Sequence, residues 1–221
     1  MHTQWIVFAI VLLVNTAAAL LIAILLMRRP PAPGMRSLIT MLCMLAVWNF
    51  GYAMITLMLD IEAKRFWLKI ENIGILTVPV IWFIFTIQYA RLDRWLNKFT
   101  ANLLFVIPVL LLVFLFSDRL SHLYYSSLRP VSYYGGPLVI NRGSWYLVGL
   151  VNSYTFNLMG MAVLVWCAFQ YRDLYRRQAL ALIGAVLVPI LVNVFYQAAP
   201  VFLPAISLRI DLTPISFTLS A

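Results

Sequence analysis

Six long apolar runs dominate the sequence and leave few options for its fold. Each run is close to the 20 or so residues that cross the hydrocarbon layer of a membrane as an α-helix. The predicted spans are Trp5–Met27, Arg36–Leu59, Phe66–Tyr89, Phe99–Phe116, Trp145–Tyr171 and Arg176–Ala199. A seventh helix is expected to begin at Thr213, a capping residue that precedes Pro214. The sequence therefore predicts an all-α integral membrane protein, a seven-transmembrane helix bundle that forms one domain over residues 1–221.

The positions of the basic residues predict the orientation of the bundle. The net charge is +9, but Lys and Arg lie in loops rather than along one helix face, which argues against a nucleic-acid partner. Alternate loops carry dense basic clusters, and basic loops stay on the cytoplasmic side. These clusters contain Arg28, Arg29, Arg36, Arg91, Arg94, Lys98, Arg172, Arg176 and Arg177. We expect the N-terminus outside, the C-terminus in the cytoplasm, and continuation of the seventh span beyond Ala221 in the native protein.

The longest external segment, residues 117–144, has the pattern of a small β-hairpin. Tyrosines and β-branched residues flank Gly135-Gly136, and such a pair favours a tight turn between strands. Pro130 and Pro137 limit strand pairing, so an irregular polar loop is the alternative. In either form the segment is placed as a lid over the outer ends of the helices.

Polar side chains inside the spans are the candidates for function, because they are costly in a membrane. Glu71 is the one carboxylate well inside a helix, and most of the amides and tyrosines lie at a similar depth in the outer half. The predicted ligand-binding residues are Glu71, Asn72, Trp82, Asn152, Tyr154, Asn193, Tyr196, Gln197, Asn49 and Tyr52. They predict an externally open, amphipathic pocket with Glu71 as its anchor. The alternative is that these groups hold helices together by hydrogen bonds.

Several kinds of chemistry are excluded by the residues present. The histidines, His2 and His122, lie outside the predicted spans, so paired haem ligands are missing. Lys69 lies too near a helix end to hold retinal as a Schiff base, and the His, Cys and acidic residues are too few for a metal site. Catalytic triads and phosphate-binding loops are missing as well. We therefore expect no cofactor, no metal and no catalytic residue in this chain.

The sequence resembles the N-terminal seven-helix sensor region of bacterial histidine kinases, which is also found ahead of diguanylate cyclases. The resemblance covers essentially the whole chain. It rests on Trp48, the segment from Lys64 to Gly74, Pro79, the segment from Trp82 to Tyr89, Tyr171-Arg172, Arg177-Gln178, Pro189 with Asn193, and the segment from Asp211 to Pro214.

This resemblance implies a receptor of the bacterial inner membrane. Such a receptor detects an external or membrane-soluble small molecule and signals through its last helix to a cytoplasmic output module in the same chain. It implies a homodimer as well, with the lipid bilayer and an amphipathic or lipid-soluble ligand as the other partners. Two alternatives remain open, namely a small transporter or permease that uses the same pocket, and a structural membrane subunit.

Overall fold

The computed structural model describes residues 2–130, 136–170, 174–202 and 211–220, and most of these residues are helical. The helices are α1 His2–Met27, α2 Met35–Leu57, α3 Ile61–Tyr89, α4 Lys98–Leu104, α5 Val106–Phe116, α6 Ser121–Tyr124, α7 Tyr146–Gln170, α8 Leu174–Phe202 and α9 Thr213–Ser220. Within these residues α1, α2, α3, α7 and α8 are long and apolar enough to cross a membrane, and α4 with α5 forms a sixth, bent candidate span. The prediction of a helical membrane bundle is confirmed.

The fourth predicted span is broken rather than continuous. Helices α4 and α5 meet at Phe105 with a bend of 43°. Pro108 explains the break, since it has no N–H to donate to the carbonyl oxygen of Leu104, and α4 ends at that residue. The predicted span Phe99–Phe116 is thus two helix segments.

Helix α3 begins at Ile61, earlier than the predicted start at Phe66. The Asp60 side chain accepts a hydrogen bond from the Ala63 amide at 2.8 Å and so caps the helix. Lys64 lies in the first turns of α3 and is fully buried, with its Nζ atom donating to the carbonyl oxygens of Ile55 and Gly136. Lys64 thus lies between two predicted spans in the sequence, yet its side chain is buried inside the fold.

Helices α2 and α3 form the most closely packed pair of the bundle at two glycines. A Cβ atom at Gly51 would lie 2.9 Å from the Cα atom of Glu71, and one at Gly74 would lie 2.6 Å from the carbonyl oxygen of Met44. Backbones can approach this closely only where one partner lacks a side chain. This contact fixes Glu71 against α2.

The main hydrophobic core lies between α2, α3, α7 and α8. Its buried members include Leu45, Trp48, Trp82, Phe85 and Leu164. Trp82 is only 2% exposed, and a Cβ atom at Gly160 of α7 would lie 2.5 Å from its Nε1 atom. We call the end of the bundle that carries residues 57–61, 117–130 and 136–145 the hairpin end, and the end that carries Arg94 the opposite end.

A two-stranded antiparallel hairpin covers the hairpin end, as the sequence predicts. Strand β1, Tyr125–Pro130, pairs with β2, Leu138–Arg142, with Leu128 opposite Ile140. The predicted Gly135-Gly136 turn falls partly outside the described residues, because Gly135 is not among them. Gly136 has φ +108° and its amide donates to the carbonyl oxygen of Thr56 at 2.9 Å. The hairpin is thereby attached to the end of α2.

Candidate ligand cavity

A cavity of about 810 Å³ lies beneath the hairpin, between α2, α3, α7, α8 and the start of α9. Along α3 its lining runs from Leu68 to Pro79, a distance of about 16 Å at the rise of an α-helix. Its polar lining residues include Tyr52, Glu71, Tyr124, Tyr125, Arg129, Asn141, Arg142, Tyr146, Ser153, Tyr154, Asn157, Asn193, Tyr196, Gln197, Asp211 and Thr213. Its volume is in the range of cavities that hold small organic ligands.

Glu71 is the buried carboxyl group of this cavity. It is 7% exposed, and the Trp48 side chain is near enough to interact with it. Asp211 is near enough to interact with it electrostatically. The close contact between Gly51 and Glu71 explains why this side chain has a fixed place on the wall.

Asp211 lies just ahead of α9 and carries the second carboxyl group. Burial raises the pKa of Asp211 above its ordinary value, while hydrogen bonds from Thr213 and the positive charge of Arg142 act in the other direction. The amide of Thr213 donates to Oδ1 of Asp211 at 2.9 Å, which is the geometry of a helix cap. The start of α9 is therefore part of the cavity wall.

Side-chain hydrogen bonds connect α9 to α7 and α8. The Tyr154 hydroxyl donates to Oδ1 of Asn193 at 2.7 Å, and Nδ2 of Asn193 donates to Oγ1 of Thr213 at 3.1 Å. All three residues line the cavity. A molecule in the cavity thus touches the groups that hold the last helix.

Helix α9 is also bonded to α2. The Tyr52 hydroxyl accepts a hydrogen bond from the backbone amide of Asp211. Deeper in the bundle, Nδ2 of Asn49 donates to Oγ1 of Thr218 at 3.0 Å and to the carbonyl oxygen of Leu45 at 2.9 Å. The described part of α9 is therefore held by two neighbouring helices through polar contacts.

The rim of the cavity joins the hairpin to α7 and α8. The Arg142 guanidinium lies 4.8 Å from the centroid of the Tyr146 ring and donates to Oε1 of Gln197. Nε2 of Gln197 donates in turn to the Tyr146 hydroxyl at 2.9 Å. Arg142 is exposed, so these contacts form at the mouth rather than in the interior.

Six of the predicted ligand-binding residues line the cavity and four do not. Those in the lining are Tyr52, Glu71, Tyr154, Asn193, Tyr196 and Gln197, while Asn49, Asn72, Trp82 and Asn152 are absent from it. Asn49 holds α9, Asn152 is buried on α7, and Trp82 belongs to the core. Asn72 accepts a hydrogen bond from the Tyr125 hydroxyl at 2.9 Å and so holds the base of the hairpin. A ligand-binding role remains a prediction for the six.

The structure adds residues that sequence reasoning did not select. Asp211 and Arg142 line the cavity, as do Tyr124 and Tyr125 of the hairpin segment. Burial raises the pKa of both tyrosines above the ordinary value, so their hydroxyls act as neutral groups at physiological pH. The signal for Asp211 was its position directly before a helix start at the outer end of a span. The hairpin residues carried no such signal, because their contacts depend on how the hairpin folds back.

Asn157 of α7 has an unusual position in the deep part of the cavity. It is 7% exposed and lines the cavity together with Pro79 and Pro189, yet its Oδ1 atom has no hydrogen-bond partner among the described residues. Buried amide oxygens are nearly always paired in folded proteins. This part of the cavity therefore has an unpaired acceptor buried within its wall.

The comparison with known families agrees with the helix pattern and with the resemblance seen in the sequence. The family model for the N-terminal 7TM region of histidine kinase matches residues 11–221. No curated protein and no solved structure matches the chain. Of the segments that carry the resemblance, Tyr171-Arg172 lies outside the described residues, and Glu71, Pro79, Pro189, Asn193 and Asp211 line the cavity. The chain belongs to the N-terminal seven-transmembrane region of histidine kinases, a multi-pass membrane sensor region rather than a catalytic domain.

Proposed function

We propose that the cavity binds a small external or membrane-soluble molecule, and that its occupation changes the position of α9 and so the activity of a cytoplasmic output module such as a histidine kinase. One observation carries this proposal. Asp211 and Thr213, at the start of the last helix, are themselves part of the cavity wall. A ligand at this wall has direct contact with the helix that leads out of the domain.

The distribution of charge supports an external location for the cavity. The clusters Arg28-Arg29 and Arg91 to Lys98 lie at the opposite end of the bundle from the hairpin. Under the positive-inside rule that end faces the cytoplasm. The hairpin and the cavity then face outward across the inner membrane of a bacterium, and α9 runs from the cavity toward the cytoplasm.

The mechanism needs only two arrangements of α9 that bind the ligand unequally. A ligand shifts such an equilibrium by its difference in affinity for the two states, and each tenfold difference corresponds to about 1.4 kcal/mol. The hydrogen bonds of Tyr52 with the Asp211 amide and of Asn193 with Thr213 stabilise the arrangement of α9 seen here. A molecule that competes for these groups favours the other arrangement.

A space-filling substitution tests this proposal without a known ligand. Ser153 lines the cavity, whereas Val151 on the same helix is 56% exposed on the outer surface of the bundle. With the chain extended after Ala221 by the remainder of a seventh span and a histidine kinase output, Ser153→Trp is expected to change autophosphorylation in membranes at least fivefold, and Val151→Trp is expected to leave it unchanged. Equal effects of both variants, or none from Ser153→Trp, would contradict the proposal.

The packing of the bundle argues against the transporter alternative. A transported molecule needs a route from the cavity to the opposite end, and the buried cluster of Leu45, Trp82, Phe85 and Leu164 fills the bundle there. The sensor proposal is therefore the better supported of the two. Flux of a candidate ligand into liposomes that contain the purified chain would decide for a transporter.

Dimerisation completes the proposal. Histidine kinases of the kind that the resemblance implies work as dimers, so two copies of this domain would lie side by side, each with its own cavity. Crosslinking of the chain in native membranes tests this expectation, because a monomer alone would contradict it.

A further inference from the structure

We infer that the ligand of this cavity is an organic ammonium compound whose cationic group binds beside Glu71 and Asp211. The inference rests on the proposed function, since it takes the cavity as the ligand site. It goes further by assigning the charge of the ligand and the place of each of its polar groups.

Neither carboxyl group forms an ion pair with a described residue. Among the described residues the ion pairs are Glu62 with Arg65 and Lys69 with Asp118, all outside the lining. Glu71 and Asp211 nevertheless interact electrostatically with each other. A buried carboxylate without a counter-charge is costly, and one positive group placed between two carboxylates offsets both.

The basic residues of the lining do not fill this role for Glu71. Arg129 and Arg142 are both exposed, and Arg142 is occupied by Tyr146 and Gln197 at the rim. Arg142 does act on Asp211, where its positive charge favours the charged form of the carboxyl group. The Trp48 side chain, which interacts with Glu71, is neutral. Glu71 is therefore the position where a cation from outside is most needed.

Aromatic rings line the same cavity. Trp48, Tyr52 and Tyr196 are all near enough to Glu71 to interact with it. All three rings line the cavity. Ring faces attract ammonium groups, and they do so best in a site shielded from water. A carboxylate among aromatic rings is suited to an amine.

A second polar contact is available deeper in the cavity. The unpaired Oδ1 atom of Asn157 lies within the wall. Once the side chain turns toward a ligand, this atom can accept a hydrogen bond but cannot donate one. Its neighbours in the lining include Pro79 and Ile190, which suit an apolar body between the two polar groups. The ligand is thus an amine with an apolar or aromatic body and a hydrogen-bond donor at its far end.

Three commercial compounds of one size separate these features. Tyramine has the amine and a phenolic donor, 2-phenylethylamine has the amine alone, and tyrosol replaces the amine of tyramine with a hydroxyl. Equilibrium dialysis against the 221-residue chain in nanodiscs measures the binding of each, with empty nanodiscs to subtract partition into lipid. We expect tyramine to bind at least tenfold more tightly than tyrosol.

Substitutions of lining residues then test which residue each part of the ligand contacts. Glu71→Gln is expected to lower tyramine affinity at least tenfold without changing tyrosol affinity, and Glu62→Gln, an exposed glutamate outside the lining, is expected to change neither. If Glu71→Gln does not fold, Asp211→Asn takes its place with an expected loss of at least threefold. Asn157→Leu is expected to remove the advantage of tyramine over 2-phenylethylamine.

The outcomes separate this inference from the proposed function. Equal or tighter binding of tyrosol, no binding of either amine, or amine binding that survives both carboxyl substitutions would overturn the inference. Amine binding that leaves kinase output unchanged would keep the inference and remove the sensor mechanism. A neutral compound that binds in place of amines and switches the kinase would keep the sensor mechanism and overturn the inference.

Discussion

The backbone amide of Asp211 donates a hydrogen bond to the Tyr52 hydroxyl, with 3.0 Å between nitrogen and oxygen. This bond crosses from the residue just ahead of α9 to the C-terminal part of α2, and both residues line the cavity. The last helix is thus held at its first turn by a group that a ligand can reach. The sensor mechanism depends on this relationship.

Removal of that hydroxyl is expected to release the start of α9. Tyr52→Phe keeps the ring, which packs edge to face against Phe8 with 5.4 Å between centroids, and removes only the acceptor. A hydrogen bond contributes about 1 kcal/mol, which corresponds to about a fivefold change in the balance of two states. Autophosphorylation without ligand is expected to change by about that factor. Tyr89→Phe, which removes a hydroxyl bonded to Gln178 far from α9, is the matched control and is expected to have no effect.

Lys64 is expected to hold the hairpin over the cavity. Lys64→Met keeps an unbranched side chain but loses the bonds to Ile55 and Gly136, and hydrogen bonds that involve a charged group contribute about 1.5–3 kcal/mol. We expect a lower thermal midpoint and faster hydrogen exchange at the Gly136 amide. Lys69→Met removes a lysine whose partner Asp118 is fully exposed, and a change within about 0.5 kcal/mol is expected. Equal behaviour of the two variants would show that the hairpin has no such anchor.

The glycines between α2 and α3 are expected to tolerate no side chain. Gly74→Ala places a Cβ atom 2.6 Å from a backbone oxygen of α2, and such overpacking costs about 1–3 kcal/mol. Gly184→Ala in α8 meets nothing within 4 Å and is expected to stabilise the helix by about 0.5–1 kcal/mol. Thermal unfolding of the purified variants measures both effects. A Gly74→Ala protein as stable as Gly184→Ala would contradict the close packing.

Trp82 is expected to act on stability rather than on ligand affinity, in contrast to its place among the predicted binding residues. It lies in the core against Gly160 and outside the cavity lining. Replacement of a buried Trp by Ala costs about 3–5 kcal/mol, so Trp82→Phe is the usable variant, with a smaller loss of stability expected. Tyramine affinity per folded molecule is expected to stay within twofold of the parent. A tenfold loss of affinity at unchanged stability would place Trp82 in the site.

The sequence could predict the spans because membrane crossing is a local property of length and hydropathy. It could also predict the depth of Glu71 and Asn193, since depth follows from position along a helix. It could not predict which neighbour each side chain meets. Asn72 and Glu71 are adjacent in α3, yet Asn72 bonds to the hairpin and Glu71 lines the cavity, because helix rotation and packing are set by glycine contacts at Gly51 and Gly74.

Lys64 and Arg142 show a second limit. Both residues lie between predicted spans, but the structure buries Lys64 beneath Gly136 and stacks Arg142 on Tyr146. Both contacts depend on the hairpin folding back over the bundle, which brings together residues far apart in the chain. Such contacts leave no periodic signal in a single sequence.

The central claim, that a molecule in the cavity moves α9, is tested most directly by a distance measurement. Spin labels at Leu212, exposed just before α9, and at Arg94, exposed at the opposite end, report the position of that helix in a Cys43→Ala, Cys167→Ala background. Pulsed electron–electron double resonance in nanodiscs measures the distribution of distances between the two labels, with and without tyramine at saturation. The account predicts a shift of the main distance or a new population with tyramine, and its loss in Glu71→Gln. Identical distributions with demonstrated tyramine binding would contradict it.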